Sequence, residues 1–326
     1  MRIFGWTADD GPCAHYRVAM PFEQLKSLGH DVAYGQKIPP EWQDVPMVVG
    51  QRVCMPGATS TWVKWANRGK KLIFEIDDDL FDVHHTNAAA WQFFSQPFVR
   101  RNLILSIKVA TAVTVTTPDL AEVVSQWNDN IHILPNCIDQ KLLDLPRDYE
   151  RTPRLGWQGS QTHEMDFAEI SKPLGRLLRR YPGLRFLFIG HAHGRSLPKD
   201  KLDFLPWTED LDEHYQQTSQ IDIGVAPLRP HPFNRAKSDI RVKEYAALGM
   251  PYVASAMPAY ITFTQGNGFI AETDHVWYNK MRDLVNDLEL RRELGLRGRE
   301  LAAGWTIQRR VDDWENVYRK VLGEDR

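Results

Sequence analysis

Cysteine is scarce: three in 326 residues (Cys13, Cys54 and Cys137), odd in number and scattered, which excludes a disulfide framework and a zinc cluster. Long apolar runs are also missing, and no window approaches the roughly 18 apolar residues of a membrane span. The opening MRIFGWTADD runs straight into an acidic loop and lacks the basic and apolar regions of a secretory signal. Neither sign of charge is in excess. Lys plus Arg number 40 against 42 Asp plus Glu, net −2, so bulk charge does not mark a protein that coats nucleic acid. These absences predict a soluble, cytoplasmic chain without a transmembrane segment. With 43% hydrophobic and 25% charged residues it is ordinary globular material, and wholesale disorder is excluded. At about 150 residues per domain the length predicts two domains.

What is present is alternation. In the first half the apolar runs 2–6, 31–35, 47–51, 71–76, 112–117 and 131–134 read as buried strands. Helical stretches near 17–28, around Trp62, Val63 and Trp65, over 88–109 and from Pro118 separate them. The second half repeats the plan, with strands at 154–159, 184–190, 203–207, 221–228 and 251–255. Helices are expected at 164–181, 210–220 and 239–248, and helical stretches from there to the end. Strands alternating with helices imply parallel, doubly wound sheets. The stretch 143–153, LDLPRDYERTP, holds two prolines and no periodicity, and reads as the linker. The expected division is 1–148, 149–305 and a C-terminal helix, 306–326. Residues 1–150 carry 14 basic and 18 acidic residues, net −4; residues 151–326 carry 26 and 24, net +2. If one half binds an anion, it is the second.

The most informative segment is 230–255, PHPFNRAKSDIRVKEYAALGMPYVAS. It follows a buried strand, where open parallel sheets place their ligands. Arg235, Lys237, Arg241 and Lys243 fall within nine positions, Ser238 is placed to cap the next helix, and Gly249 ends it before Pro251. Two readings stand side by side: an anion site suited to a diphosphate, and a solvated basic loop before an amphipathic helix.

KSDIRVKEYAALGMPYVAS resembles the donor-binding motif of group 1 (family 4) glycosyltransferases of the GT-B type, in which a Glu sits on a helix ending in Gly-x-Pro-Val-Val-Ala-Ser. RIFGW…YRVAMPFEQLKSLGHDV, TPDLAEVV…ILPNCID and LGWQGSQTH are similar to other stretches of that family, so the match in element order spans nearly the whole chain. The resemblance implies an α/β fold of two Rossmann-like domains facing a cleft (GT-B). It implies that Glu244 binds the ribose hydroxyls of a nucleotide-sugar, a task suited to a carboxylate, which accepts two hydrogen bonds from a vicinal diol. Lys237, Ser238, Arg241 and Lys243 are then expected at the diphosphate. Gly159 and Ser160 lie in the first donor-domain loop, and Trp207 lies in the loop that meets the base. Two departures stand out. Ala236 occupies the position of the family's first glutamate, eight residues before Glu244, and the Arg and Lys of the family's first donor-domain loop do not follow Ser160. In GT-B proteins the last helix often crosses back to the N-terminal domain; the apolar spacing of 306–322 fits that and also simple packing on its own domain.

The acidic run 74–85, FEIDDDLFDVHH, has three readings: an Asp-x-Asp metal site on a donor diphosphate, a cleft loop whose carboxylates bind acceptor hydroxyls or act as base, and a helix-capping loop. The second sheet and its donor-like motif favour the metal-free cleft reading. Asp77, Asp78, His84 and His15 are therefore the candidates for acceptor contact or proton transfer, and Arg17 or His15 could meet an acceptor group or the phosphates. The expected activity is transfer of a sugar, retaining, from a nucleoside-diphosphate sugar (UDP- or GDP-sugar) to a hydroxyl acceptor, a saccharide or glycolipid precursor. No tightly bound cofactor and no metal is expected. The alternatives are a hydroxymethylated base in DNA as acceptor, a non-catalytic nucleotide-sugar-binding protein, and a GT-B-like epimerase.

Overall fold

Short runs rich in β-branched and aromatic residues, each followed by a helix-length segment, leave parallel pairing as the way to bury both faces of a strand. The computed structural model describes residues 1–324. Its first sheet holds β1 (Arg2–Trp6), β2 (Asp31–Gly35), β3 (Met47–Gln51), β4 (Lys71–Glu75), β5 (Ala112–Val115) and β6 (Ile131–Ile133), all parallel, in the order β2-β1-β3-β4-β5-β6. The second holds β7 (Leu155–Gly159), β8 (Phe186–Gly190), β9 (Leu202–Pro206), β10 (Ile223–Ala226), β11 (Tyr252–Ser255) and β12 (Gly268–Ala271), also parallel, in the order β12-β11-β10-β7-β8-β9. Two Rossmann-like sheets are thus present. Strand order reverses between β1 and β3 in the first sheet and between β7 and β10 in the second. Open sheets of this kind bind ligands outside the carboxyl ends of the strands at such a reversal.

The chain divides into two compact units: residues 1–137, 236–238 and the chain from Thr306, and residues 138–235 with 239–305. In the first unit the helix Ile307–Leu322 lays Ile307, Val311, Trp314, Tyr318 and Val321 into a core shared with Ile3, Val18, Phe22 and Val49. Tyr318 and Phe22 meet edge to face at 6.2 Å. In the second unit Trp157, Phe167, Phe186 and Phe188 form a continuous aromatic core under β7 and β8.

Three elements differ from the sequence expectation. The single helix expected over 88–109 is two, Ala88–Phe94 and Pro97–Val109, because Pro97 holds Gln96 in extended backbone (ψ 131°). The helix expected from Arg17 begins at Pro12 and passes through a wide π turn at His15–Ala19 before continuing as Met20–Ser27; Pro21, just beyond, has no N–H for the regular ladder. The four residues of β12, expected to lie in a helical stretch, are too short a run to show a period.

One glycine in the first core is forced by a close approach. A Cβ on Gly50 would lie 2.5 Å from the ring of Trp62, which is fully buried and donates Nε1–H to the Ser106 carbonyl at 3.1 Å. Gly50→Ala is expected to cost about 1–3 kcal/mol through overpacking, seen as a lower urea midpoint at unchanged slope. An unchanged midpoint would mean that the Trp62 ring is free to shift.

Candidate functional site

The second unit builds its site where β7 and β10 diverge. Gln158, next to last in β7, is buried, and its amide is oriented from both sides: Thr218 Oγ1 donates to Oε1, and Nε2 donates to Glu244 Oε2 at 2.7 Å. Glu244 sits on the helix Ile240–Ala247 that follows β10 and is itself only 7% exposed. A carboxylate with a fixed neutral donor on one oxygen is an orienting acceptor, with about four lone-pair positions to offer.

Two glycines let the strand ends crowd together. Gly159 has φ +155°, and a Cβ there would stand 2.5 Å from the Trp157 ring and 3.2 Å from Arg241 Nη2. Gly190, beside it in β8, has φ +91°; its Cβ would fall 2.6 Å from the Gly159 carbonyl oxygen and 3.0 Å from the Trp207 ring. Trp207, just past β9, is 47% exposed and presents a flat aromatic surface beside these backbones. Ser160 is exposed, its hydroxyl paired with Thr162 Oγ1 at 2.7 Å and its carbonyl accepting from His193 Nε2 at 3.3 Å.

The basic residues expected at the diphosphate separate. Arg241, in the first turn of the Glu244 helix, donates to the Gln158 carbonyl and lies 5.2 Å over the Trp157 ring, so it belongs with Gly159 and Glu244. Lys243 is fully buried instead: its ammonium pairs with Asp239 at 2.8 Å and sits 3.7 Å from the Trp305 ring. Lys237 and Ser238 fall in the first unit, where Lys237 Nζ pairs with Asp78 at 3.2 Å and Ser238 Oγ accepts from Asn136 Nδ2 at 2.9 Å. Ser238 does not cap the helix as expected. Asp239 takes the N-cap position, with no side-chain cap hydrogen bond.

The other candidates lie in the first unit. Asp77 is buried in the loop just past β4, and Thr116 Oγ1 donates to its carbonyl at 3.1 Å. Burial raises the Cys13 thiol well above its usual range, and the nearby Asp77 carboxylate adds to that. Asp79 turns back to accept from the Phe81 N–H at 3.0 Å, and burial raises its carboxyl above the ordinary value. The three aspartates thus point to different partners. Among the described residues no group of three or more His, Cys, Asp or Glu is placed to hold a metal. His84 pairs with Thr86 Oγ1 at 2.8 Å and its ring lies tilted against that of His85, centroids 4.0 Å apart, while His15 lies in the π turn. Arg17, a candidate for ligand contact, is wholly buried and engaged with Glu75, Leu134 and Asn136.

Sequence reading missed a pocket of about 430 Å³ at the β1/β3 reversal, lined among others by Trp6, Asp9, Gln51, Arg52, Phe93 and Phe94. Arg52 is the one described non-glycine residue with positive φ (49°), a conformation that persists where surrounding contacts over-determine it. Its guanidinium pairs with Asp9. Burial pushes the guanidinium pKa down, but Asp77, Cys13, Asp9 and Asp78 together raise it above the ordinary value.

Residues 170–316 match the family described as glycosyl transferase-like. No curated protein matches the sequence. The sucrose-phosphate synthase of Thermosynechococcus elongatus superposes with a TM-score of 0.68 at 15% identity, each chain covered completely. Anabaena HepE, solved with UDP and glucose, gives 0.69 at 12% identity over 99% of this chain and 100% of that one. The pneumococcal O-GlcNAc transferase GtfA, solved with UDP and GlcNAc, gives 0.60 at 15% identity over 85% of this chain and 57% of that one. The fold is GT-B. The family match spans residues 170–316, less than half of the chain, and the likeness to solved structures shows the two-domain GT-B fold that the sequence resemblance implied. No helix among the described residues is long and apolar enough to cross a membrane.

Proposed function

We propose that this protein transfers a sugar from a nucleoside-diphosphate sugar, a UDP-sugar first among them, to a hydroxyl of a saccharide acceptor, without a metal ion. The observation that carries the reading is Glu244, held by Gln158 at the β7/β10 reversal, where a carboxylate can take both hydroxyls of a ribose. The base lies by Trp207 and the end of β9, and the diphosphate by Arg241 and the start of its helix. UDP leads because HepE and GtfA were solved with it. The acceptor belongs to the first unit, in the pocket beside Trp6, Asp9 and Arg52, with Asp77 and Asp78 the nearby carboxylates for hydroxyl contact. Aromatic walls suit the apolar face of a sugar ring, and Asp9, Gln51 and Arg52 suit its hydroxyls.

The reaction breaks the bond between the anomeric carbon and the diphosphate oxygen and forms one to the acceptor oxygen on the same face. The acceptor proton passes to the leaving phosphate. Arg241 stabilises the charge that gathers on that leaving group. The test is release of UDP from UDP-glucose and UDP-GlcNAc in EDTA, with and without mono- and disaccharide acceptors, and an NMR reading of the product anomer. One donor should turn over slowly alone and faster with acceptor, giving an α-linked product from the α-linked donor. No turnover of any nucleotide-sugar would overturn the activity, and a β-linked product would overturn retention.

A further inference from the structure

The segment between β7 and the helix Glu164–Arg180 carries no Arg or Lys; it reads Ser160-Gln161-Thr162-His163. A diphosphate brings at least two negative charges, yet of Lys237, Arg241 and Lys243 only Arg241 stands at the end of β7. A second basic group is nevertheless there. The His163 ring lies 5.9 Å from that of Trp157, whose surroundings also include His193 at 4.8 Å and the Arg241 guanidinium.

His163 is fixed in place. Its Nδ1 is 2.8 Å from Asp166 Oδ2, while Asp166 Oδ1 accepts from the Arg229 N–H at 3.0 Å and from Asn234 Nδ2 at 2.7 Å. The buried carboxylate therefore ties the loop after β7 to the loop after β10, on the two sides of the strand reversal. Burial alone would push the Asp166 carboxyl up, but the hydrogen bond and charge of His163, with the Arg229 N–H and Asn234, hold it below its ordinary value. The carboxylate on Nδ1 fixes the ring and turns Nε2 away from it. His193 is different in kind. Burial lowers its pKa, with His191 and Arg241 adding to that against the Ser160 carbonyl and Glu164, so it fastens the loop without carrying charge.

Resting on the nucleotide-sugar reading of this unit, we propose that His163, anchored by Asp166, contacts the donor diphosphate and is the second positive charge of that subsite beside Arg241. The side chain is 17% exposed, enough to reach a ligand while its anchor stays buried.

The test is to titrate uridine and UDP, by NMR or calorimetry, into the full chain and its His163→Ala, His163→Lys and Asp166→Asn variants. A charge-assisted hydrogen bond corresponds to about tenfold to a hundredfold in affinity. His163→Ala is expected to lose that much for UDP and less than about twofold for uridine, which has no phosphate. His163→Lys, which returns a cation, is expected to recover most of the UDP affinity. Asp166→Asn is expected to fall between wild type and His163→Ala, because the ring keeps a hydrogen-bond partner but loses its counter-charge. UDP affinity unchanged in His163→Ala would overturn the proposal. So would equal losses for uridine and UDP that His163→Lys leaves unrepaired, since that pattern belongs to a purely structural residue. Failure of the wild-type chain to bind UDP or any other nucleoside diphosphate would instead overturn the function on which it rests.

Discussion

Glu244→Gln is expected to weaken UDP binding by about tenfold to a hundredfold, the worth of a hydrogen bond to a charged group, while leaving the unfolding midpoint of the free protein nearly unchanged. The two halves of this expectation come from the two sides of the carboxylate. Toward Gln158, a neutral amide oxygen still accepts the 2.7 Å hydrogen bond from Nε2, so the packing survives. Toward a ribose, one of two acceptor oxygens becomes an NH₂ donor and the charge is lost, so a vicinal diol is no longer matched. Glu244→Ala separates the roles differently. It strands the buried Gln158 amide and should cost an additional 1–3 kcal/mol or so of stability. Calorimetric titration and urea unfolding of both variants check the pair of statements. Wild-type UDP affinity in Glu244→Gln would remove the ribose assignment.

Arg17→Met is expected to be among the most destabilising single changes in the chain, at about 3–5 kcal/mol, because it leaves an uncompensated buried carboxylate. Arg17 is inaccessible to solvent. Nε donates to Glu75 Oε1 at 2.7 Å and Nη2 to Oε2 at 3.2 Å; Nη1 donates to the Leu134 carbonyl at 2.6 Å and to Asn136 Oδ1 at 2.8 Å. Thr114 Oγ1 supplies a further donor to Glu75. The cation thereby joins the N-terminal helix region, β4 and the end of β6, and lies 5.9 Å from the Trp314 ring of the last helix. A paired change, Arg17→Met with Glu75→Leu, is expected to recover a large part of the loss, since well-packed apolar residues can replace a buried ion pair. Urea denaturation of the single and double variants measures both. A single-variant cost under about 1 kcal/mol would mean that the pair is solvated in solution.

The strands were legible because buried parallel strands are short, apolar and bounded by turn residues, and eleven of the twelve carry that pattern. Glu244 was legible through the motif around it. Its partner Gln158 was not, because 86 residues separate the two and an amide in a strand carries no local signal. His163 and Asp166 are three apart at a helix start, a spacing common to capping pairs, and only the folded loops show Arg229 and Asn234 arriving at the same carboxylate. The different fates of Arg241 and Lys243 follow from helix geometry. At about 100° per residue, Arg241 and Glu244 share a face while Lys243 points elsewhere, so both cations could not serve one ligand. Arg17 reads as a loop-end cation in sequence. The π turn at 15–19, which no local pattern announced, accompanies its burial.

The most direct measurement is a thermal-shift series of the full chain with UDP, GDP, ADP, dTDP and CDP, each in Mg²⁺ and in EDTA. A ligand at 100 times its dissociation constant adds about 2.7 kcal/mol of apparent stability. UDP is predicted to raise the midpoint by several degrees, equally in Mg²⁺ and EDTA. No shift with any of the five would contradict a nucleotide-sugar site in the second unit, and a shift confined to Mg²⁺ would contradict its metal independence.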